Sequence, residues 1–167
     1  MNIKLFITDI DGVWTDGGMY YDQKGNELKK FNTKDSGGVL FLHQLRIPVA
    51  IITGEYTKIV KRRSDKLKID YLFQGVSNKL ETAEKLCQSL GISMENAAYI
   101  GDDINDIFLL KKAGLSACPE NSPEYVKKIV NWVLPVKGGD GVFRYFVEKY
   151  LDEIGELKNI VKQYSGE

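Results

Sequence analysis

Apolar positions along this chain alternate between two patterns, short unbroken runs and helically spaced stripes. The unbroken runs fall at residues 5–8, 48–52, 97–100 and 115–118, with a shorter one at 71–74. Runs this short, bounded by Gly or polar residues and rich in branched side chains, predict strands covered on both faces. Between them, apolar residues at helical spacing predict helices over 39–45 (opened at Thr33 to Ser36), 57–67, 79–90, 107–112 and 123–130, with Gly91 as a left-handed cap. A last strand is expected at 132–134, a flexible glycine turn at 138–144, a helix at 145–151 and a terminal helix reaching Tyr164. One stretch departs from the alternation. Met19-Tyr20-Tyr21 and residues 27–31 flank the turn-forming Asp22-Gln23-Lys24-Gly25-Asn26, which predicts a β-hairpin inserted after the first strand.

Strands that alternate with helices imply right-handed βαβ crossovers, hence an α/β fold with a doubly wound, mostly parallel, Rossmann-like sheet. The 167 residues carry no internal repeat and no low-complexity linker, so one domain over 1–167 is expected. Ligands of such sheets bind at the carboxyl ends of the strands. The polar tips Asp9, Thr53 and Asp102 all fall on that edge.

Composition narrows the function by exclusion. Lys plus Arg and Asp plus Glu number 23 each, so no basic field points to nucleic acid or to an anionic membrane. No apolar run approaches a bilayer span and the first residues lack a leader pattern, which makes a cytoplasmic protein the expectation. Cys87 and Cys118 stand apart without a Cys-x-x-Cys partner, and Cys87 shares a helical stripe with Leu80, Ala83 and Leu90. His43, the single histidine, has no ligand-type neighbour and reads as structural.

Chemistry concentrates at the strand tips. Asp9-Ile10-Asp11-Gly12 ends the first strand with two carboxylates that repel unless a cation joins them or one is protonated, and a hard divalent ion such as Mg2+ satisfies both. Thr53-Gly54 ends the second long strand, Lys79 opens a helix, and Gly101-Asp102-Asp103-Ile104-Asn105-Asp106 ends a further strand. Taken singly, each piece also fits a turn, a solvated first-turn lysine or a helix N-cap. Together they form a set.

The order Asp9-x-Asp11, Thr53, Lys79, Asp102-Asp103-x-x-Asp106 on this strand pattern resembles the haloacid dehalogenase superfamily of aspartate-nucleophile phosphatases. The resemblance implies that Asp9 attacks phosphorus, that Asp11 protonates the leaving oxygen and then activates water, and that Thr53 and Lys79 hold the phosphoryl charge. It implies Mg2+ on Asp9, Asp11 (through its carbonyl) and Asp102, with Gly54, Asp103 and Asp106 in support. Neither the gap before Thr53 nor the one before Lys79 holds a cap domain. The motif Asp9-x-Asp11-Gly-Val-Trp-Thr-Asp-Gly17 with its hairpin is similar to the capless sugar-acid branch, whose substrates are phosphorylated eight- and nine-carbon ulosonates and whose members form homotetramers. Glu55 and Lys66 resemble the nine-carbon pattern, and Arg62, Arg63 and Arg144 are further candidates for the substrate. A receiver-like phosphoacceptor domain is a competing class, but it expects an aspartate where Thr53 stands. A retired, non-catalytic phosphatase fold is another, against which the intact motif set argues.

Overall fold

A computed structural model describes residues 2–165. Its central sheet holds β1 (Leu5–Thr8), β4 (Val49–Ile52), β5 (Tyr71–Phe73), β6 (Ala97–Ile100), β7 (Leu115–Cys118) and β8 (Trp132–Val133), all parallel, in the order β5-β4-β1-β6-β7-β8. A separate antiparallel hairpin pairs β2 (Tyr20–Tyr21) with β3 (Glu27–Leu28). The chain leaves β1 for β4 and β5 on one side, then returns to β6 on the other. That reversal puts the switch point of the sheet beside β1, where a crevice opens.

Unbroken apolar strands are explained by cover on both faces. Phe6, Val49, Ile51, Ala98 and Ile100 point into one layer of core with Trp14, Phe143 and Phe146. Their neighbours Leu5, Ile7, Ala50, Ile52, Ala97 and Tyr99 point into the other, with Ala83, Leu86 and Leu109. The strand period of two therefore appears as a division between two cores and not as a hydrophobic and a polar face. Helices α1 (Asp35–Gln44) and α6 (Val142–Glu153) pack together over the first layer. Helices α3 (Lys79–Ser89) and α4 (Ile107–Lys112) pack together over the second. The chain is completed by α2 (Lys58–Leu67), α5 (Glu124–Lys127) and α7 (Leu157–Ser165). No helix among the described residues is long and apolar enough to cross a membrane.

Three expectations need correction. Helix α5 spans Glu124–Lys127, shorter than the stretch 123–130. The glycine segment 138–141 is not a flexible turn but a close contact with the loop after β1. A Cβ on Gly138 would lie 1.8 Å from the Gly12 carbonyl oxygen, and Gly139 N donates to Val13 O at 2.9 Å. Gly139 and Gly141 also take positive φ (79° and 92°), which lets α6 begin at Val142, earlier than expected.

Candidate active site

The loop after β1 is built to hold Asp9 still. Asp9 N donates to Ile100 O at 3.0 Å, which carries the ladder one residue past β1, and the chain then turns under the Ile10 carbonyl, which accepts from Val13, Trp14 and Thr15. Trp14, fully buried, donates its Nε1–H to Thr8 Oγ1 at 2.9 Å, and Thr8 donates on to the Asp9 carbonyl at 2.7 Å. Gly12, at φ 82°, lies so close to Asp102 that a Cβ there would stand 1.9 Å from Oδ2. The peptide between Asp11 and Gly12 therefore borders the same corner as the Asp102 carboxylate.

Three adjacent strands supply the walls. Asp9 and Asp11 follow β1, Thr53, Gly54 and Glu55 follow β4, and Asp102 and Asp103 follow β6; all line one cavity of about 300 Å³ with Gly12, Gly17 and Asn105. Thr53 is fixed through its backbone, with its amide on Phe73 O at 3.0 Å and its carbonyl accepting from Val76 N at 3.1 Å. Beneath the floor, Asn78 caps α3 by accepting from Glu81 N, and Lys79 in its first turn reaches up to Asp9 Oδ2 at 2.8 Å and to Asp106 Oδ1 at 2.6 Å. Tyr99 donates its hydroxyl to Asp106 Oδ1, while the amides of Asp102 and Asp103 donate to Oδ2. Asp103 caps Ile104 and accepts from the Tyr125 hydroxyl at 2.9 Å.

Electrostatics at the floor favour a cation. Burial, followed by repulsion from Asp106 and only partly offset by Lys79, pushes the Asp9 carboxyl up to about 7. Burial, followed by the charges of Asp9, Asp106 and Asp103, pushes Asp102 up to about 8. Carboxylate oxygens of Asp9, Asp102 and Asp106 lie within 4.8 Å of one another. Since both Asp106 oxygens are already taken by Lys79, Tyr99 and two amides, Asp9 and Asp102 are the pair left to ligate. Hard oxygen donors that repel one another in a partly buried corner fit Mg2+.

The candidate substrate residues are divided. Glu55 lines the cavity. Lys66 does not, because α2 starts near the crevice and runs away from it, about 12 Å from Lys58 to Lys66 at the usual helical rise. It lines a different cavity with Ser36, Gly37, Leu40 and His43. Arg62 is exposed on α2. Arg63 lies over the Phe31 ring and donates to Asn32 O at 3.1 Å. Arg144 is held in the first turn of α6 by Glu148 at 2.6 Å and stacks over Phe41, with its guanidinium against Gly37. The structure does not bring Arg62, Arg63, Arg144 or Lys66 to the cavity of their own chain.

Two residues escaped the sequence. Tyr99 carried a usable signal, since a tyrosine in a buried strand needs a partner for its hydroxyl. Lys29 carried none; it follows β3, yet its Nζ sits 2.7 Å from both Asp11 Oδ1 and Glu55 Oε2.

Comparison with known proteins agrees with the geometry. Residues 42–146 match the model of haloacid dehalogenase-like hydrolases. The 3-deoxy-D-manno-octulosonate 8-phosphate phosphatase of Escherichia coli strain K12 is 39% identical over 156 residues, covering 93% of this chain and 83% of that protein. The Moraxella catarrhalis phosphatase of the same name, crystallised with magnesium ion, phosphate ion and KDO, superposes with a TM-score of 0.94 at 33% identity, covering 98% of this chain and 94% of that one. A probable YrbI family phosphatase from Pseudomonas syringae gives 0.94 at 37% identity, covering 98% and 93%. The chain belongs to the haloacid dehalogenase-like hydrolases, in the capless branch that holds the sugar-acid phosphatases.

Proposed function

We propose that this phosphatase hydrolyses a phosphorylated nine-carbon ulosonate, 2-keto-3-deoxynononate 9-phosphate, using Mg2+, in the cytoplasm. Asp9 attacks phosphorus as the bond to the sugar oxygen breaks, and Asp11 gives that oxygen its proton. Water then attacks the aspartyl phosphate, Asp11 takes a proton from it, and Asp9 leaves as carboxylate with release of inorganic phosphate. Lys79 Nζ lies 2.8 Å from Asp9 Oδ2 with both side chains buried, and this ion pair aims the nucleophile. Thr53, which lines the cavity at the β4 tip, donates its hydroxyl to a phosphoryl oxygen in this reading. When bound, Mg2+ neutralises phosphoryl charge beside Asp9 and Asp102.

The nine-carbon reading is carried by Glu55, whose carboxylate stands at the cavity wall where hydroxyls of a longer sugar can donate to it. An eight-carbon substrate, 3-deoxy-D-manno-octulosonate 8-phosphate, is the second reading, and the names of the relatives favour it. A homotetramer is part of the proposal, supported by the exposed Met19, Tyr21 and Leu28 on the hairpin (58%, 63% and 62% exposed).

The test is a side-by-side steady-state comparison of the two ulosonate phosphates with Mg2+, for wild type and Asp9→Asn. A preference for the nine-carbon ester of roughly tenfold or more in kcat/KM, about 1.4 kcal/mol, supports the reading, and Asp9→Asn releases no phosphate from either. A preference for the eight-carbon ester replaces it with the second reading.

A further inference from the structure

We propose that Lys29 is a positioning residue of this site, turning the Asp11 carboxyl toward the leaving oxygen and coupling that orientation to Glu55. The inference rests on the acid role given to Asp11 above. Lys29 Nζ lies 2.7 Å from Asp11 Oδ1 and 2.7 Å from Glu55 Oε2, with Glu27 Oε1 at 3.6 Å. Its side chain is 4% exposed, whereas Asp11 is 35% and Glu55 46% exposed. The buried member of this cluster is thus the cation, and burying an ammonium is costly unless its protons are matched by acceptors.

Docking the hairpin does not need that burial. The hairpin is fastened beside the site by the bridge between Thr15 and Phe31 and by Tyr20, which donates to Asp16 at 2.6 Å. What Lys29 adds is aimed at Asp11. Thr15 Oγ1, at 3.2 Å, and Lys29 both hold Oδ1, so Oδ2 is the oxygen free to meet a leaving group among the described residues. The other lysine at the site, Lys79, is committed to Asp9 and Asp106, while the cavity wall carries the carboxylates of Asp9, Asp11, Glu55, Asp102 and Asp103. Lys29 is therefore the cation that faces Asp11 and Glu55. A substrate hydroxyl that engages Glu55 acts on the same ammonium that sets Asp11, so recognition there is felt in the chemical step as well as in binding.

Leaving-group chemistry separates this role from a structural one. An activated aryl oxygen departs without a proton, whereas a poor leaving group needs the acid in place. Wild type, Lys29→Met, Lys29→Arg and Glu55→Gln are compared with Mg2+ on para-nitrophenyl phosphate and phenyl phosphate, with folding checked by circular dichroism. Lys29→Met is expected to lower kcat on phenyl phosphate on the order of tenfold to a hundredfold more than on para-nitrophenyl phosphate, with KM little changed. Lys29→Arg restores part of that selective loss, and Glu55→Gln shows the same selectivity in smaller measure. Equal losses on both esters, or none, overturn the positioning role; a Glu55→Gln variant that treats both esters as wild type does overturns the coupling. Because the comparison uses aryl esters only, failure of wild type to hydrolyse either ulosonate phosphate sinks the substrate reading and leaves this one standing.

Discussion

Asp106 sits under the floor of the cavity because its carboxylate is fully spent on Lys79, Tyr99 and the amides of Asp102 and Asp103. Removing it leaves a buried lysine half-paired and a buried hydroxyl without its partner. Asp106→Ala is expected to destabilise the fold by about 3–5 kcal/mol, read by urea unfolding, and Tyr99→Phe by about 1 kcal/mol. If Asp106→Ala unfolds like wild type, the floor is not the strut described. A second buried carboxylate works the other way. Asp35 is fully buried and accepts from Arg144 N at 3.1 Å, and among the described residues its Oδ2 has no hydrogen-bond partner; burial outweighs the Arg144 and Phe143 amides and the charge of Arg63 and pushes its carboxyl up to about 6 from 3.8. The folded protein then binds the extra proton, so stability falls as pH rises from about 4 to about 6 and stays lower above. Over that window the loss is of order 3 kcal/mol, and Asp35→Asn is expected to remove it from the pH dependence of urea unfolding. Parallel curves for the two proteins would refute the assignment.

Elements explain which parts of this site can be read from sequence. The tips of β1, β4 and β6 were legible because each strand is a buried run with a polar end, and the doubly wound order makes those three neighbours in the sheet. The position of Lys66 was not: it was expected with Glu55 at the site, and helical rise along α2 carries it away from the strand edge to a different cavity. Lys29 was not, because its place depends on the hairpin folding back onto the loop after β1 through the Thr15 to Phe31 bridge. Nor was the start of α6, where residues 138–141 look like spacer sequence but are a contact surface. Gly138 shows why. A methyl group there must displace the Gly12 carbonyl, which belongs to the loop carrying Asp9 and Asp11. Gly138→Ala is expected to lower kcat at least tenfold, by the general sensitivity of reacting geometry to small displacements, while α6 still packs on α1. Phosphate release and far-ultraviolet circular dichroism together check it: normal turnover in the variant would show that the loop has room to give.

At the scale of the whole molecule, the site is a place where the fold holds like charges together and a cation pays them back. With no metal bound, the raised Asp9 and Asp102 carboxyls, at about 7 and about 8, retain protons that the unfolded chain loses near 4. The metal-free protein therefore loses stability as pH climbs through the range between 4 and 8. Mg2+ needs these groups deprotonated, so its binding releases protons and tightens over the same range. The stabilisation that Mg2+ confers must then grow with pH, as the stability of the metal-free form declines. At a free Mg2+ concentration about a hundred times its Kd the increment is about 2.7 kcal/mol, which for a chain of this size raises Tm by roughly 5–11 °C. Chelation at pH 8 should cost the wild type most of that rise, whereas chelation at pH 5.5 should cost it little. Asp102→Asn should respond weakly to Mg2+ at either pH, because the variant lacks both a ligand and one of the repelling charges. Differential scanning with and without chelator at the two pH values reads all of this. A Mg2+ increment independent of pH would mean that the carboxylates are already ionised without the metal, and that their closeness is balanced by Lys79 alone.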